Sequence, residues 1–109
     1  METLEEHRSP DNLLRFMVCR DKDGDVSAGF DGYSWHVHAD SLAALAGLPQ
    51  ETALRRFVDE VLHDRAIIAI ARVSGKIQQV WVAEDAQPDK WKPDEETIEF
   101  RYWSGASAV

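Results

Sequence analysis

One amphipathic segment, QETALRRFVDEVLHDR at residues 50–65, constrains the fold more than any other part of the sequence. Its apolar side chains recur every three or four residues, which places them on one stripe of an α-helix, and charged side chains occupy the opposite side. Such a helix must bury its stripe against another element, so we expect the stripe to pack on a β-sheet. The stripe consists of Leu54, Phe57, Val58, Val61 and Leu62.

Segments on both sides of this helix alternate between apolar and polar residues, as half-buried β-strands do. The turns DKDGD and SG carry residues that favour the tight connections of β-hairpins. We expect a short helix at 39–47, with Asp40 as its N-cap and Gly47 at its C-terminal end. The predicted strand segments are 12–20, 26–38 with a bend at its centre, 66–73, 76–84 and 97–103.

The order of predicted elements is ββ-αα-βββ, which places the chain in the α+β class. We expect an antiparallel sheet of about five strands with both helices packed on one face. Residues 1–11 and 105–109 show no periodicity and are expected to be flexible, which leaves 12–104 as a single α+β domain. A chain of 109 residues can bury a core of this size without disulfides.

Composition narrows the classes of function. The formal net charge is −8, so electrostatics disfavour nucleic acids and anionic membrane surfaces as partners and favour a basic protein. Cys19 is the only cysteine, so no intramolecular disulfide can form, and we expect its thiol to be buried and inert. The N-terminal residues lack the features of a signal peptide, and no apolar run is long enough to cross a bilayer. We therefore expect a cytoplasmic protein.

The stretch WHVHAD at residues 35–40 raises the question of a metal site. His36 and His38 are two residues apart in a predicted strand, so their imidazoles project from the same face. Such a pair can chelate a transition metal when further ligands lie nearby, and Asp40 and His63 are the candidates.

The same stretch also has a purely structural interpretation. Trp35 and Val37 would face the core, and the two histidines that alternate with them would face outward. We favour this interpretation and expect neither a cofactor nor catalytic residues, since no nucleophile lies in a known catalytic context. A metal-binding or small-ligand-binding protein, with or without catalysis, is the alternative.

The last predicted strand, TIEFRYW, carries the candidate for a protein-binding surface. Its alternation predicts that Ile98, Phe100 and Tyr102 face the core. Tryptophan and arginine dominate binding hot spots, and the opposite face carries both, beside a long loop that holds a further tryptophan. The predicted partner-binding residues are Trp91, Glu99, Arg101 and Trp103.

The strings GFDGYSWHVHADSLAALAG, FVDEVL and IEFRYWSG resemble small bacterial proteins, some of them of the immunity type, in element order over roughly residues 14–105. The resemblance implies a cytosolic protein that neutralises a toxin by binding it and has no active site. It assigns no individual residue. We therefore predict a small acidic binding protein with an immunity-like or antitoxin-like role. A third hypothesis is a self-associating structural subunit, for example a homodimer.

Overall fold

The computed structural model describes residues 1–86 and 96–109, and within them the chain forms two antiparallel sheets and two helices. An N-terminal sheet has the strand order β1-β2-β3-β4, and a C-terminal sheet has the order β6-β5-β7. The elements are β1 (Glu2–Arg8), β2 (Arg15–Arg20), β3 (Val26–Phe30), β4 (His36–His38), α1 (Ala39–Ala46), α2 (Gln50–Leu62), β5 (Ile67–Val73), β6 (Lys76–Ala83) and β7 (Glu96–Arg101). Among these described residues, neither helix has the length and apolar character needed to cross a membrane.

The α+β class with antiparallel strands is confirmed, but the prediction of one five-stranded sheet is wrong. The chain divides its strands between two sheets because β4 is only three residues long and runs directly into α1. So short an edge strand offers little backbone for a further partner. Side chains connect the two sheets instead. For example, Gln79 Nε2 on β6 donates a hydrogen bond to Ser34 Oγ at 2.7 Å.

Both ends of the chain carry backbone pairing that the sequence pattern does not predict. The segment expected to be flexible, 1–11, contains β1, which pairs along β2. Residues 105–109 fold back beside β7, where the N–H of Ala108 donates to the Phe100 carbonyl at 2.9 Å. Both segments therefore satisfy backbone groups on neighbouring strands, although their sequences lack periodicity.

One core joins α2 to both sheets. Phe16 on β2 is fully buried, and its ring packs against those of Phe30, Phe57 and Trp103. The predicted stripe of α2 is confirmed: two of its members are fully buried and the other three are half-buried against the same core. The C-terminal sheet contributes the fully buried side chains of Ile68, Ile70 and Val80.

The two ends of α1 differ in how well the sequence predicts them. Gly47 adopts a left-handed conformation with φ 67° and donates its N–H to the Ala43 carbonyl at 2.9 Å, which confirms the predicted C-terminal end. The prediction of Asp40 as the N-cap is wrong. His38 occupies that position in an extended conformation without a side-chain cap, and Asp40 is an exposed residue of the first turn.

Candidate functional site

The surface predicted on the last strand is not exposed as expected. Arg101 is 3% exposed and Trp103 is 6% exposed, so neither can serve as an accessible anchor for a partner. Glu99 is half-buried and accepts a hydrogen bond from Arg72 Nη1 at 2.5 Å. Trp91 lies outside the described residues.

The alternation along β7 is present, but the face that carries Arg101 is buried rather than exposed as predicted. Arg101 lies directly opposite Ile68, on the side of the C-terminal sheet that faces the core. Phe100 lies opposite Ala69 on the other side of the sheet and is also buried, at 7% exposed, as expected for a core residue. Alternation identifies which residues share a face, but it does not tell which face is covered.

Arg101 is buried because its guanidinium holds the two ends of the chain together. Its Nη1 donates to Asp11 Oδ2 at 2.7 Å, and its Nε and Nη2 donate to the carbonyl oxygens of Tyr102 and Trp103 at 3.1 and 3.2 Å. The hydrogen bond from Arg101, followed by that from the Ser9 hydroxyl, holds the pKa of the Asp11 carboxyl well below its usual range. These contacts give Arg101 a structural role.

The two histidines of β4 project from the outer face of the N-terminal sheet, while Trp35 and Val37 pack against the core. The ring centroids of His36 and His38 are 4.8 Å apart. His36 Nδ1 lies 2.9 Å from the Ser34 carbonyl oxygen, and His38 Nδ1 lies 2.6 Å from Asp25 Oδ2. The carboxylate beside this pair is thus Asp25, which the sequence does not single out.

The other two candidate metal ligands do not join the histidine pair. Asp40 contacts Ser41 on the first turn of α1, and His63 Nδ1 lies 2.8 Å from the Asp59 carbonyl oxygen at the end of α2. Within residues 1–86 and 96–109, no group of three or more histidine, cysteine or acidic side chains could hold a metal ion.

Gly29 determines how closely β4 approaches β3. A Cβ atom at this position would lie 2.6 Å from the Trp35 carbonyl oxygen and 3.1 Å from the Cβ of His36. The first distance is shorter than real Cβ contacts, and its neighbour is backbone, which cannot rotate away. The absence of a side chain at Gly29 therefore places His36 over β3.

Replacing Gly29 with alanine is expected to lower the free energy of unfolding by about 1–3 kcal/mol, because the added methyl overpacks the β3–β4 contact. Ser27→Ala is the matched control: it lies two residues away on β3, adds no atom, and should stay within about 0.5 kcal/mol of wild type. Urea denaturation of the three proteins measures the difference. An unchanged midpoint for Gly29→Ala would show that β4 moves aside freely.

An open cleft of about 1010 Å³ lies between α2 and the helix-facing side of the N-terminal sheet. Its apolar lining comes from both walls and consists of Leu4, Val18, Val26, Ala39 and Leu54. Gln50 and Thr52 also line the cleft, together with four acidic and four arginine side chains, namely Glu5, Glu51, Asp59, Glu60, Arg20, Arg55, Arg56 and Arg65. The cleft therefore combines apolar surface with charges of both signs.

An ion pair links the two walls of the cleft. Arg55 on α2 contacts Glu5 on β1, and His7 Nε2 lies 3.0 Å from the other carboxylate oxygen of Glu5. The hydrogen bond from Arg55, and to a smaller extent that from His7, lowers the pKa of the Glu5 carboxyl. The hydrogen bond to Glu5 raises the pKa of Arg55. The β1 register shifts between Thr3 and Glu5, so Leu4 falls at a bulge and remains 38% exposed at the cleft.

Some charges of the cleft are free to meet a ligand. Within the described residues, the carboxylate of Glu51 and the guanidinium of Arg65 form no ion pair, unlike Arg20, Arg55 and Arg56. Asp59 forms no close ion pair either, but its charge helps to raise the pKa of Arg55. The sequence does not reveal this site, because β1 forms one wall of the cleft and the polar residues of β1 do not indicate a strand. Such a cleft can bind a chain segment that offers both an apolar side chain and charged groups.

Comparison with known proteins adds no assignment: no family model matches the chain, and no match was found among curated proteins or solved structures. The case for a function therefore rests on the geometry and charge of the cleft and on the composition of the chain.

Proposed function

We propose that this chain is a small acidic binding protein of the bacterial cytosol that acts by protein–protein contact. The cleft between α2 and the N-terminal sheet receives a segment of the partner. The observation that carries this proposal is the cleft volume of about 1010 Å³ with an apolar lining contributed by both walls. Pockets for small molecules span about 300–1000 Å³, so this cleft lies at the upper end of that range and has room for a peptide segment. Helices and extended segments both bind in grooves with apolar anchors of this kind.

The partner is proposed to be basic. The formal net charge of −8 attracts a basic surface from a distance and accelerates the encounter. At the cleft itself, Glu51 offers a carboxylate that forms no ion pair with a described cation, and Asp59 offers a second one that interacts with Arg55 without a close ion pair. The sharpest form of the proposal is an immunity-like or antitoxin-like protein, which neutralises a basic toxin by covering its surface.

Replacing Leu4 with aspartate is expected to weaken partner binding at least tenfold, because a charge replaces apolar surface at the cleft. A tenfold change in affinity corresponds to about 1.4 kcal/mol. The side chain is 38% exposed and lies at a bulge, so the fold should tolerate the change. Leu13→Asp is the matched control, since Leu13 is 41% exposed and does not line the cleft.

The measurement starts from the partner that the chain captures in lysate of the source cell, followed by binding kinetics with purified components. Leu4→Asp should raise the dissociation rate, whereas Leu13→Asp should leave it unchanged. The double change Glu51→Gln and Asp59→Asn should slow association, and added salt should reduce this effect. The double change Asp23→Asn and Glu84→Gln, at exposed residues that do not line the cleft, controls for net charge. A partner that binds Leu4→Asp as well as wild type would place the interface outside the cleft.

A further inference from the structure

The outer face of β4 presents two imidazoles whose Nδ1 atoms both point at oxygen acceptors. His36 Nδ1 lies 2.9 Å from a backbone carbonyl oxygen, that of Ser34, which can only accept a hydrogen bond. His38 Nδ1 lies 2.6 Å from a carboxylate oxygen of Asp25. In the neutral form, each Nδ1 therefore carries the hydrogen, and each Nε2 is left with a free lone pair. Metal-binding histidines show this same arrangement, in which the nitrogen away from the metal donates to a carbonyl or carboxylate.

The spacing of the two rings also suits one shared ion. Their centroids are 4.8 Å apart and their planes are inclined at 76°. Two imidazoles bound to one ion through nitrogens at about 2.1 Å have centroids roughly 4.5–5.2 Å apart, across the range from square-planar to tetrahedral angles. The separation already present in the protein lies inside that range.

The neighbouring strands hold both rings in place. Asp21 Oδ1 accepts the N–H of Asp25 at 3.0 Å, and the N–H of Asp21 donates to the Asp25 carbonyl at 2.9 Å, which positions the carboxylate beside His38. Gly29 leaves the space that His36 occupies above β3. The orientation of the pair is thus built by residues of the β2–β3 hairpin as well as by β4.

We propose that His36 and His38 form a two-histidine site for a first-row transition-metal dication, bound through both Nε2 atoms, with Asp25 as the positioning residue for His38. Imidazole nitrogens suit Cu²⁺, Ni²⁺ and Zn²⁺, whereas Mg²⁺ and Ca²⁺ prefer oxygen ligands. Since the described residues hold no group of three or more ligands, water completes the coordination and binding is reversible. The site is on the face of the sheet opposite to the cleft, so it is independent of the proposed partner binding.

The test is a calorimetric titration of the untagged full-length chain with Cu²⁺, Ni²⁺, Zn²⁺ and Mg²⁺. We expect one equivalent of the transition metals to bind, with Cu²⁺ the tightest, and no binding of Mg²⁺. His36→Ala and His38→Ala should each lower the Zn²⁺ affinity at least tenfold. The controls His7→Ala and His63→Ala should bind within twofold of wild type, because neither residue contacts the pair.

Two further measurements separate a metal ligand from a structural residue. Ni²⁺ should broaden the ring-proton resonances of His36 and His38 in NMR spectra, and those of the other histidines should stay sharp. Asp25→Ala should weaken Zn²⁺ binding about tenfold at unchanged stoichiometry, as loss of a positioning partner does. Thermal unfolding of each variant without metal verifies that it folds. Undiminished Zn²⁺ affinity in His36→Ala and His38→Ala, or absence of one-to-one binding by wild type, would overturn the proposal.

Discussion

Replacing Phe16 with alanine is expected to lower the free energy of unfolding by about 3–5 kcal/mol, as truncation of fully buried aromatic residues does. Phe16 is fully buried and packs against three other aromatic rings, from β3, from α2 and from the segment after β7. Its removal opens a cavity where the two sheets and α2 meet, and no single element can move to fill it. Because domains of this size are stable by only about 5–15 kcal/mol, the change removes a large part of the total.

Urea denaturation followed by tryptophan fluorescence and by circular dichroism measures the effect. Phe57→Ala provides a graded comparison, because that ring is half-buried against the same core and should contribute less. Leu45→Ala, at a side chain that is 88% exposed, should change stability by less than about 0.5 kcal/mol. If Phe16→Ala and Leu45→Ala unfold at the same urea concentration, the core is centred elsewhere.

The features that the sequence predicts correctly are those that depend on residues close together in the chain. The stripe of α2 follows from helical spacing, and the left-handed end of α1 follows from Gly47. The β5–β6 hairpin around Ser74 and Gly75 likewise combines alternating strands with a tight turn. Each of these signals lies within a single helix or hairpin, so no knowledge of the remaining chain is required.

The features that the sequence does not predict depend on partners far along the chain. The polar segment Glu2–Arg8 forms a strand because β2 offers an open edge, and because Glu2, Glu5 and Glu6 pair with arginines elsewhere. The cleft requires that strand as a wall, and so it could not be foreseen either.

The unexpected burial of Arg101 on β7 has a similar cause. Alternation places Glu99 and Arg101 on one face, but the acidic partner that allows Arg101 to be buried lies 90 residues earlier in the chain. The Asp11 carboxylate and the backbone carbonyls of Tyr102 and Trp103 accept hydrogen bonds from a charge that would otherwise require solvent. A charged residue in an alternating pattern is therefore a poor guide to the exposed face when its partner is remote in sequence.

Replacing Asp11 with asparagine is the second change expected to have a large effect. It leaves the buried guanidinium of Arg101 without its counter-charge, since that side chain is 4% exposed. Breaking a fully buried ion pair costs about 3–5 kcal/mol. Asp11 is itself 42% exposed, so water screens the pair, and we expect a loss of about 2–3 kcal/mol at neutral pH.

The pH dependence of this loss identifies its origin. Because Arg101 lowers the pKa of Asp11 in the folded protein, the pair contributes its full stability above the ordinary carboxyl pKa of about 3.9, and this contribution disappears as the pH falls towards the lower folded-state pKa. The stability difference between wild type and Asp11→Asn should therefore be constant from neutral pH down to about pH 5 and should shrink steadily below it. Asp31→Asn is the matched control, because Asp31 pairs with Arg15 where both side chains are exposed, and it should cost less than about 1 kcal/mol. A stability difference for Asp11→Asn that stays the same down to pH values near 2 would show that the carboxylate charge contributes nothing, and that Arg101 is held by the backbone carbonyls of Tyr102 and Trp103 alone.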